Sequence, residues 1–329
     1  MTAYNDGGHS FPSETISIGL PVTADLSEKV LIVNNFDRVS APAFVDTPTY
    51  AGFDNRIDSG VPYIQDIAYI GDMYQYNRSL EWLDDENPGF GASDMHRAGE
   101  IIAGNTFDYA SVHGKAVMKA GYPFYSCSNE CFINDSTFRH EAWTVDMICG
   151  KQITTTVGSG MQQNYTVFTE GIQDALSAFT SAGGNVLISG ANIGTDIWDS
   201  IYPAQIDSVF RENSIKFAKD VLGYKWMGNL ASRRATVKGV RNNLAEFGSY
   251  RFYNEPNSLC YSVESPDGIV PASNKGKTVL RYTDTGISAG VCFEGDCYKT
   301  VSIGFPIETL KDEDEIDEII TITLDYFKK

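Results

Sequence analysis

The sequence predicts a three-layer α/β domain built on a doubly wound, mostly parallel sheet. Three observations carry that prediction. Runs such as Val30-Leu31-Ile32-Val33 and Val186-Leu187-Ile188 are apolar at every position over strand length, as strands covered on both faces must be. Amphipathic helical stretches lie between such runs; the clearest, Glu170 to Ala182, puts Ile172, Leu176 and Phe179 on one face and closes at Gly183-Gly184. Strand and helix alternate up to Tyr224, and strands joined through helices run parallel with right-handed crossovers.

The chain starts with a polar, Gly-rich turn, Tyr4 to Ser10, and then alternates at Thr15-Ile16-Ser17-Ile18. This stretch resembles the closing strand of a fibronectin type III domain. Residues 1–24 are therefore expected to be the tail of a preceding β module and a linker, with the main domain at 25–329. Val30–Val33 is the first core strand. It ends in Asn34, Asn35, Phe36 and Asp37, polar groups at the carboxyl end of a central strand, where open α/β sheets bind ligands. An insertion at about 41–109 follows, dense in Tyr, Trp, Gly and Asp, with helices expected at Pro62–Tyr74 and Ala92–Ala103. Loops of that length are functional or disordered, and the aromatic content argues for order. Tyr63 and Trp82 suit stacking on sugar rings, with amides and carboxylates for the hydroxyls; the same rings equally suit a cap packed on the sheet.

Val112 to Ala120 reads as a helix. A second strand, Phe124–Cys127, ends in Ser128-Asn129-Glu130, and a third, Val145–Cys149, ends in Gly150-Lys151-Gln152. The strand before Gly190 leads into Gly190-Ala191-Asn192-Ile193-Gly194 and a Thr195-Asp196 pair able to start a helix; Ser214–Leu222 is the next helix. From about 230 to 305 the pattern becomes β-rich, with short runs at Tyr261–Val263, Thr278–Tyr282, Gly290–Cys292 and Val301–Phe305. Asp312 to Phe327 closes the chain as a helix with acidic residues at its amino end.

Composition excludes several partners. A formal net charge of -18 over 329 residues repels nucleic acid and anionic membranes, and no run is apolar enough to span a bilayer. The first residues lack the charged and apolar regions of a signal peptide. Cys292 and Cys297 flank Phe293–Asp296, which reads as a hairpin loop, so a disulfide is expected there; Cys127 and Cys131 are a second close pair. Such a bridge suggests an exported protein. Zinc spacing is absent and the four histidines are scattered, so neither metal nor cofactor is expected.

The stretch around Asn192 is the sequence's sharpest functional feature. Strand, tight turn and helix outline a nucleophile elbow, G-x-S-x-G, whose central side chain rises from a strained turn. Asn tolerates that left-handed backbone but is no nucleophile. The Gly-Gly before Val186, this turn, and Gly304-Phe305-Pro306-Ile307-Glu308 before a terminal helix together resemble the class I glutamine amidotransferase-like superfamily. Phrases along nearly the whole chain, among them Gly60-Val-Pro-Tyr63, Asn87-Pro-Gly-Phe-Gly91, Gly194-Thr-Asp-Ile-Trp198 and Val221-Leu-Gly-Tyr-Lys-Trp226, resemble secreted bacterial proteins labelled xanthan lyase or fibronectin type III-containing N-acetylmuramoyl-L-alanine amidase. The resemblance implies a flavodoxin-like core with a Cys nucleophile where Asn192 stands and a late His-Glu pair. No His follows His140, so two of three triad members are missing and glutaminase activity is not expected.

Two functions remain. One is a degenerate amidotransferase-like module of an exported, longer polypeptide that binds cell-wall or polysaccharide glycan through Asn192, Asn35, Asn129, Gln152, Asp196, Trp198, Tyr63 and Trp82. The other is a hydrolase of glycan or peptidoglycan working through carboxylates at the same sheet edge, with Glu130 and Asp37 as the candidate pair.

Overall fold

Five apolar strands running the same way form the centre of the molecule. The computed structural model describes every residue except 11, 37–38, 40–41, 50, 54–56, 72–76, 82–94, 158–162, 200–206 and 243–244. A short edge strand, β1 (Ile18–Gly19), comes first, then β2 (Val30–Asn34), buried at all five positions. Alternation along β2 sends Val30 and Ile32 into one core and Leu31 and Val33 into the other. Each such burial contributes roughly 1.5–3 kcal/mol, so this run has only one favourable place, between two covered faces. After the insertion come α1 (Tyr109–Lys119), β3 (Phe124–Ser128), α2 (Asn129–Asn134), α3 (Ser136–His140) and β4 (Thr144–Gly150). The helix α4 (Glu170–Ser181) starts where the Thr169 hydroxyl accepts the Ile172 N–H, and it stops before Gly183, whose φ of 94° continues no helix.

β5 (Asn185–Gly190), α5 (Thr195–Trp198) and α6 (Ser208–Asp220) follow, then β6 (Thr236–Gly239), β7 (Ser249–Arg251), β8 (Gly276–Tyr282), β9 (Ser288–Glu294) and β10 (Lys299–Ile303). The last helix, α7 (Glu313–Lys328), is capped by Asp312, carries Glu313, Asp314 and Glu315 in its first turn, and buries Ile316, Ile319, Ile320 and Leu324. Its acidic start complements the positive end of the helix dipole.

The ten-stranded sheet has the order β7-β6-β8-β9-β10-β5-β4-β2-β3-β1. β3, β2, β4, β5 and β10 are parallel. β1 on one edge and β9, β8, β6 and β7 on the other add antiparallel. Residues of α1 and α7 pack into the core on one face, those of α2, α4 and α6 into the core on the other. The chain is thus mixed α/β with a parallel centre, and its β-rich stretch lengthens the same sheet. Because β2 pairs with β3 on one side and β4 on the other, the crevice past their carboxyl ends is the place where such a sheet leaves room for a ligand.

Three expectations need correction. The insertion shows no helix among its described residues. Gln65–Asp66 instead pairs antiparallel with Ile102–Ala103, Ile64 takes a left-handed φ of 55°, and Asp66 Oδ1 accepts the Ala68 N–H, a local bond that competes with helix. Tyr261–Val263 is not a strand; its side chains fill the core instead. The Cys292–Cys297 disulfide is absent, and all six cysteines are free thiols. The hairpin turns two residues later than expected: Glu294 pairs with Lys299 and Cys292 lies opposite Val301, buried within β9, while Cys297 sits exposed in the turn.

Candidate functional site

At the carboxyl end of β4 the chain must turn sharply, and Gly150 does so at a φ of 52°, with the Phe36 ring only 2.3 Å from where a Cβ would stand. The next residue, Lys151, is 1% exposed. Its Nζ donates to Glu264 Oε2 at 2.5 Å and to the Gly60 carbonyl at 3.2 Å, and lies 3.1 Å from Asp58 Oδ1. Burial alone would lower the ammonium's proton affinity, but the Asp58 and Glu264 carboxylates raise it above the ordinary lysine value. Burial pushes Asp58 up, with Lys151 opposing. The hydroxyls of Ser59, at 2.6 Å, and of Ser262 both donate to Glu264 Oε1. An ion cluster therefore joins the insertion, β4 and the 261–264 segment over the crevice.

Around this cluster the predicted polar residues converge, but they face the protein. Asn192 is 3% exposed and its Nδ2 donates to the Lys151 carbonyl at 3.1 Å. Asn35 Nδ2 donates to the Val167 carbonyl at 2.7 Å, and Gln152 Nε2 to the Thr166 carbonyl at 3.3 Å. Asp196 accepts the Thr154 N–H at 2.6 Å and the Val167 N–H at 2.8 Å; burial raises its pKa against those donors. These four side chains clamp the two stems of the hairpin Thr155–Val157/Gln163–Tyr165 onto the sheet end. The backbone strain expected at Asn192 is absent, since its φ is not positive. Gly194 is required for another reason: a Cβ there would stand 2.6 Å from Trp226 Cδ1.

The other candidates scatter. Trp198 is half-buried beside Tyr224, ring centroids 6.2 Å apart, and Tyr63 is half-buried 6.0 Å from Phe107. Asn129 begins α2, buried, and Glu130 is exposed in the first turn of that helix. Glu130 lines a separate cleft of about 760 Å³ with Cys127, Cys131, Ser126 and Glu14. Asp37 and Trp82 lie outside the described residues. Among the described residues no group of three or more His, Cys, Asp or Glu is arranged to hold a metal.

Three groups escaped the sequence reading. Asp267 is fully buried and accepts the N–H groups of Gly194 and Thr195, the Thr195 hydroxyl and Trp226 Nε1; burial lifts it to about 7 against those donors. It is what holds the turn after β5. Second, His113 Nδ1 meets Asp146 Oδ2 at 2.8 Å and its Nε2 meets Glu308 Oε2 at 3.4 Å, while Tyr261 donates to Glu308 Oε1 at 2.7 Å. Burial opposes protonation of this imidazole, but the Asp146 and Glu308 carboxylates raise its pKa to about 10. Third, the Lys151 cluster borders a cavity of about 190 Å³ lined by Ser59, Asp66, Tyr69, Tyr261 and Ser262 among apolar neighbours from both the insertion and the carboxyl part. Scattered over 200 residues, these groups show no local spacing signal.

The thiols of Cys127, Cys149 and Cys260 and the Ser189 hydroxyl are not set up as nucleophiles. Burial drives Cys127 well up and Cys149 and Cys260 to about 12, so each stays protonated. Ser189 is wholly buried inside β5.

Fold and site define an α/β protein with a parallel-centred sheet, to whose carboxyl edge Asp58 and Gly60 of the insertion are tied through Lys151. No known family and no curated protein matches the sequence. Solved structures do resemble it. A cytoplasmic protein from Salmonella typhimurium LT2 aligns over 92% of this chain and 100% of its own, with 9% identity and a TM-score of 0.44. A putative GMP synthase component from Thermoplasma acidophilum aligns over 67% and 90%, with 7% identity and a TM-score of 0.39. The β-galactosidase from Bacillus circulans sp. alkalophilus aligns over 66% of this chain but 27% of its own, with 10% identity and a TM-score of 0.40. The neighbours thus include a putative GMP synthase subunit and a β-galactosidase, at values that say nothing about activity. None of the three carries a xanthan lyase or amidase name.

Proposed function

We propose that the chain is a non-catalytic, amidotransferase-like module that binds glycan in the 190 Å³ cavity between the insertion and the carboxyl part. The observation that carries this reading is the pairing of that cavity with a closed catalytic position. The cavity is lined by Tyr69 and Tyr261 beside Ser59, Ser262 and Asp66, aromatic residues among polar groups, the usual make-up of a small-ligand site. The place of the nucleophile holds Asn192, buried and bonded to Lys151. Glu130, one of the two candidate carboxylates, lines another cleft, away from Asn192.

The setting we propose is an exported polypeptide with further domains. It rests on the fibronectin-like opening stretch, where Ile16, Ile18, Leu20 and Val22 leave one alternating face of apolar side chains exposed, as suits packing against a neighbouring module. The test is a panel of cell-wall and polysaccharide fragments, read by thermal shift and by chromatography of the fragments afterwards. Stabilisation without cleavage, lost in Tyr69→Ala, is the expected result. No stabilisation across the panel overturns glycan binding, and cleavage overturns the non-catalytic reading.

A further inference from the structure

Hydrogen-bond accounting around the cavity narrows the ligand, given the glycan reading on which this step rests. A serine hydroxyl has one proton and two acceptor lone pairs. Ser59 and Ser262 both give their proton to Glu264 Oε1, so what either oxygen can offer a ligand is acceptance. The Tyr261 hydroxyl gives its proton to Glu308. Asp66 brings a carboxylate to the wall, with Oδ1 accepting from the Ala68 backbone. The described lining contains no Lys, Arg or His.

Charge points the same way. Behind the Ser59 and Ser262 wall, Asp58 and Glu264 share the ammonium of Lys151, and Asp58 Oδ2 has no hydrogen-bond partner among the described residues. With Asp66 that makes three carboxylates against one cation among the described residues. The Tyr69 ring adds a face that attracts cations. A ligand carbonyl or carboxylate would meet acceptors and negative charge; an ammonium would meet complementary partners at each of these groups.

We infer that the cavity selects an amino sugar carrying a free, protonated amino group, over its N-acetylated, neutral or uronic counterparts. The acetylated sugar would turn a carbonyl toward the Asp66 carboxylate and the acceptor oxygens of Ser59 and Ser262, and a uronate would add charge of the wrong sign.

The experiment is titration calorimetry of the full chain in slightly acidic, low-salt buffer. The probes are a glucosamine tetramer, its fully N-acetylated form, cellotetraose, and spermine as a polyamine without sugar rings. The glucosamine tetramer should bind at least about tenfold more tightly than the other three, since a charge-assisted hydrogen bond exceeds a neutral one by that order. Asp66→Asn and Ser262→Ala should each reduce the preference over the acetylated form to within about threefold. Equal binding of the acetylated or neutral tetramer overturns this inference while leaving glycan binding intact. Equal binding of spermine assigns the effect to the acidic surface and also overturns it. Absence of binding by all three tetramers removes both readings together.

Discussion

Replacing Lys151 with Met removes the only described cation from a cluster in which the side chains of Lys151 and Asp58 are 2% and 3% exposed and that of Glu264 is 11% exposed. Two carboxylates are then left facing each other without the ammonium between them. Breaking a buried pair in this way costs about 3–5 kcal/mol. Unfolding entropy of about 2.1 cal/mol/K per residue, taken over the whole chain, turns a loss of about 4 kcal/mol into a fall in Tm of about 6 °C. The cost arises from the stranded charges, so neutralising them should reverse most of it: the triple variant Lys151→Met, Asp58→Asn, Glu264→Gln should melt within about 2 °C of wild type. Scanning calorimetry of the three proteins is the assay. A Lys151→Met protein that melts at the wild-type temperature refutes a closed ion cluster over the sheet, and a triple variant as unstable as the single one refutes the electrostatic origin of the loss.

Asn192→Cys restores the amidotransferase nucleophile in name only, and no ammonia should be released from glutamine; measurable release would mean that a base reaches this position. The same variant should lose about 1 kcal/mol of stability, because the Lys151 carbonyl loses its donor. His113 has a folded-state pKa raised from 6.5 to about 10, so its contribution to stability is complete below 6.5 and is lost as pH rises toward 10. Urea unfolding across that interval should show falling stability in wild type and a smaller slope in His113→Asn; identical slopes contradict the assignment. Alkylation under denaturing, non-reducing conditions should label all six cysteines, and a product two labels short would restore a disulfide.

The sheet centre was legible because β2, β4 and β5 are buried on both faces, and a continuous apolar run of strand length suits few environments besides a doubly covered sheet. α4 and α7 were legible through their caps and apolar stripes. The insertion was not: its path depends on the left-handed turn at Ile64, on Asp66 bonding to its own backbone, and on a two-residue ladder with Ile102–Ala103, none of which has a periodicity. The hairpin between β9 and β10 was misplaced by two residues because Phe293 and Glu294, which read as loop residues, continue the ladder opposite Thr300 and Lys299. At the site, the sequence singled out the strand ends, and Asn35, Gln152, Asn192 and Asp196 lie together there, bonded to neighbouring backbone. What they do was hidden, because an amide that clamps a neighbouring backbone looks identical in sequence to one that awaits a ligand. Asp58, Glu264 and Asp267 were invisible for a different reason: among 43 acidic residues, burial is what distinguishes them, and burial is a property of the fold.

The most direct test of the central claim is a fluorine NMR titration with 3-fluorotyrosine in place of tyrosine, the Tyr69 signal being assigned by its loss in Tyr69→Phe. On addition of a glycan that stabilises the protein, the Tyr69 resonance should shift saturably while those of Tyr63 and Tyr224, outside the cavity lining, stay in place, with the glycan recovered uncleaved. An unmoved Tyr69 signal in the presence of a bound glycan would put the binding site elsewhere and contradict the account.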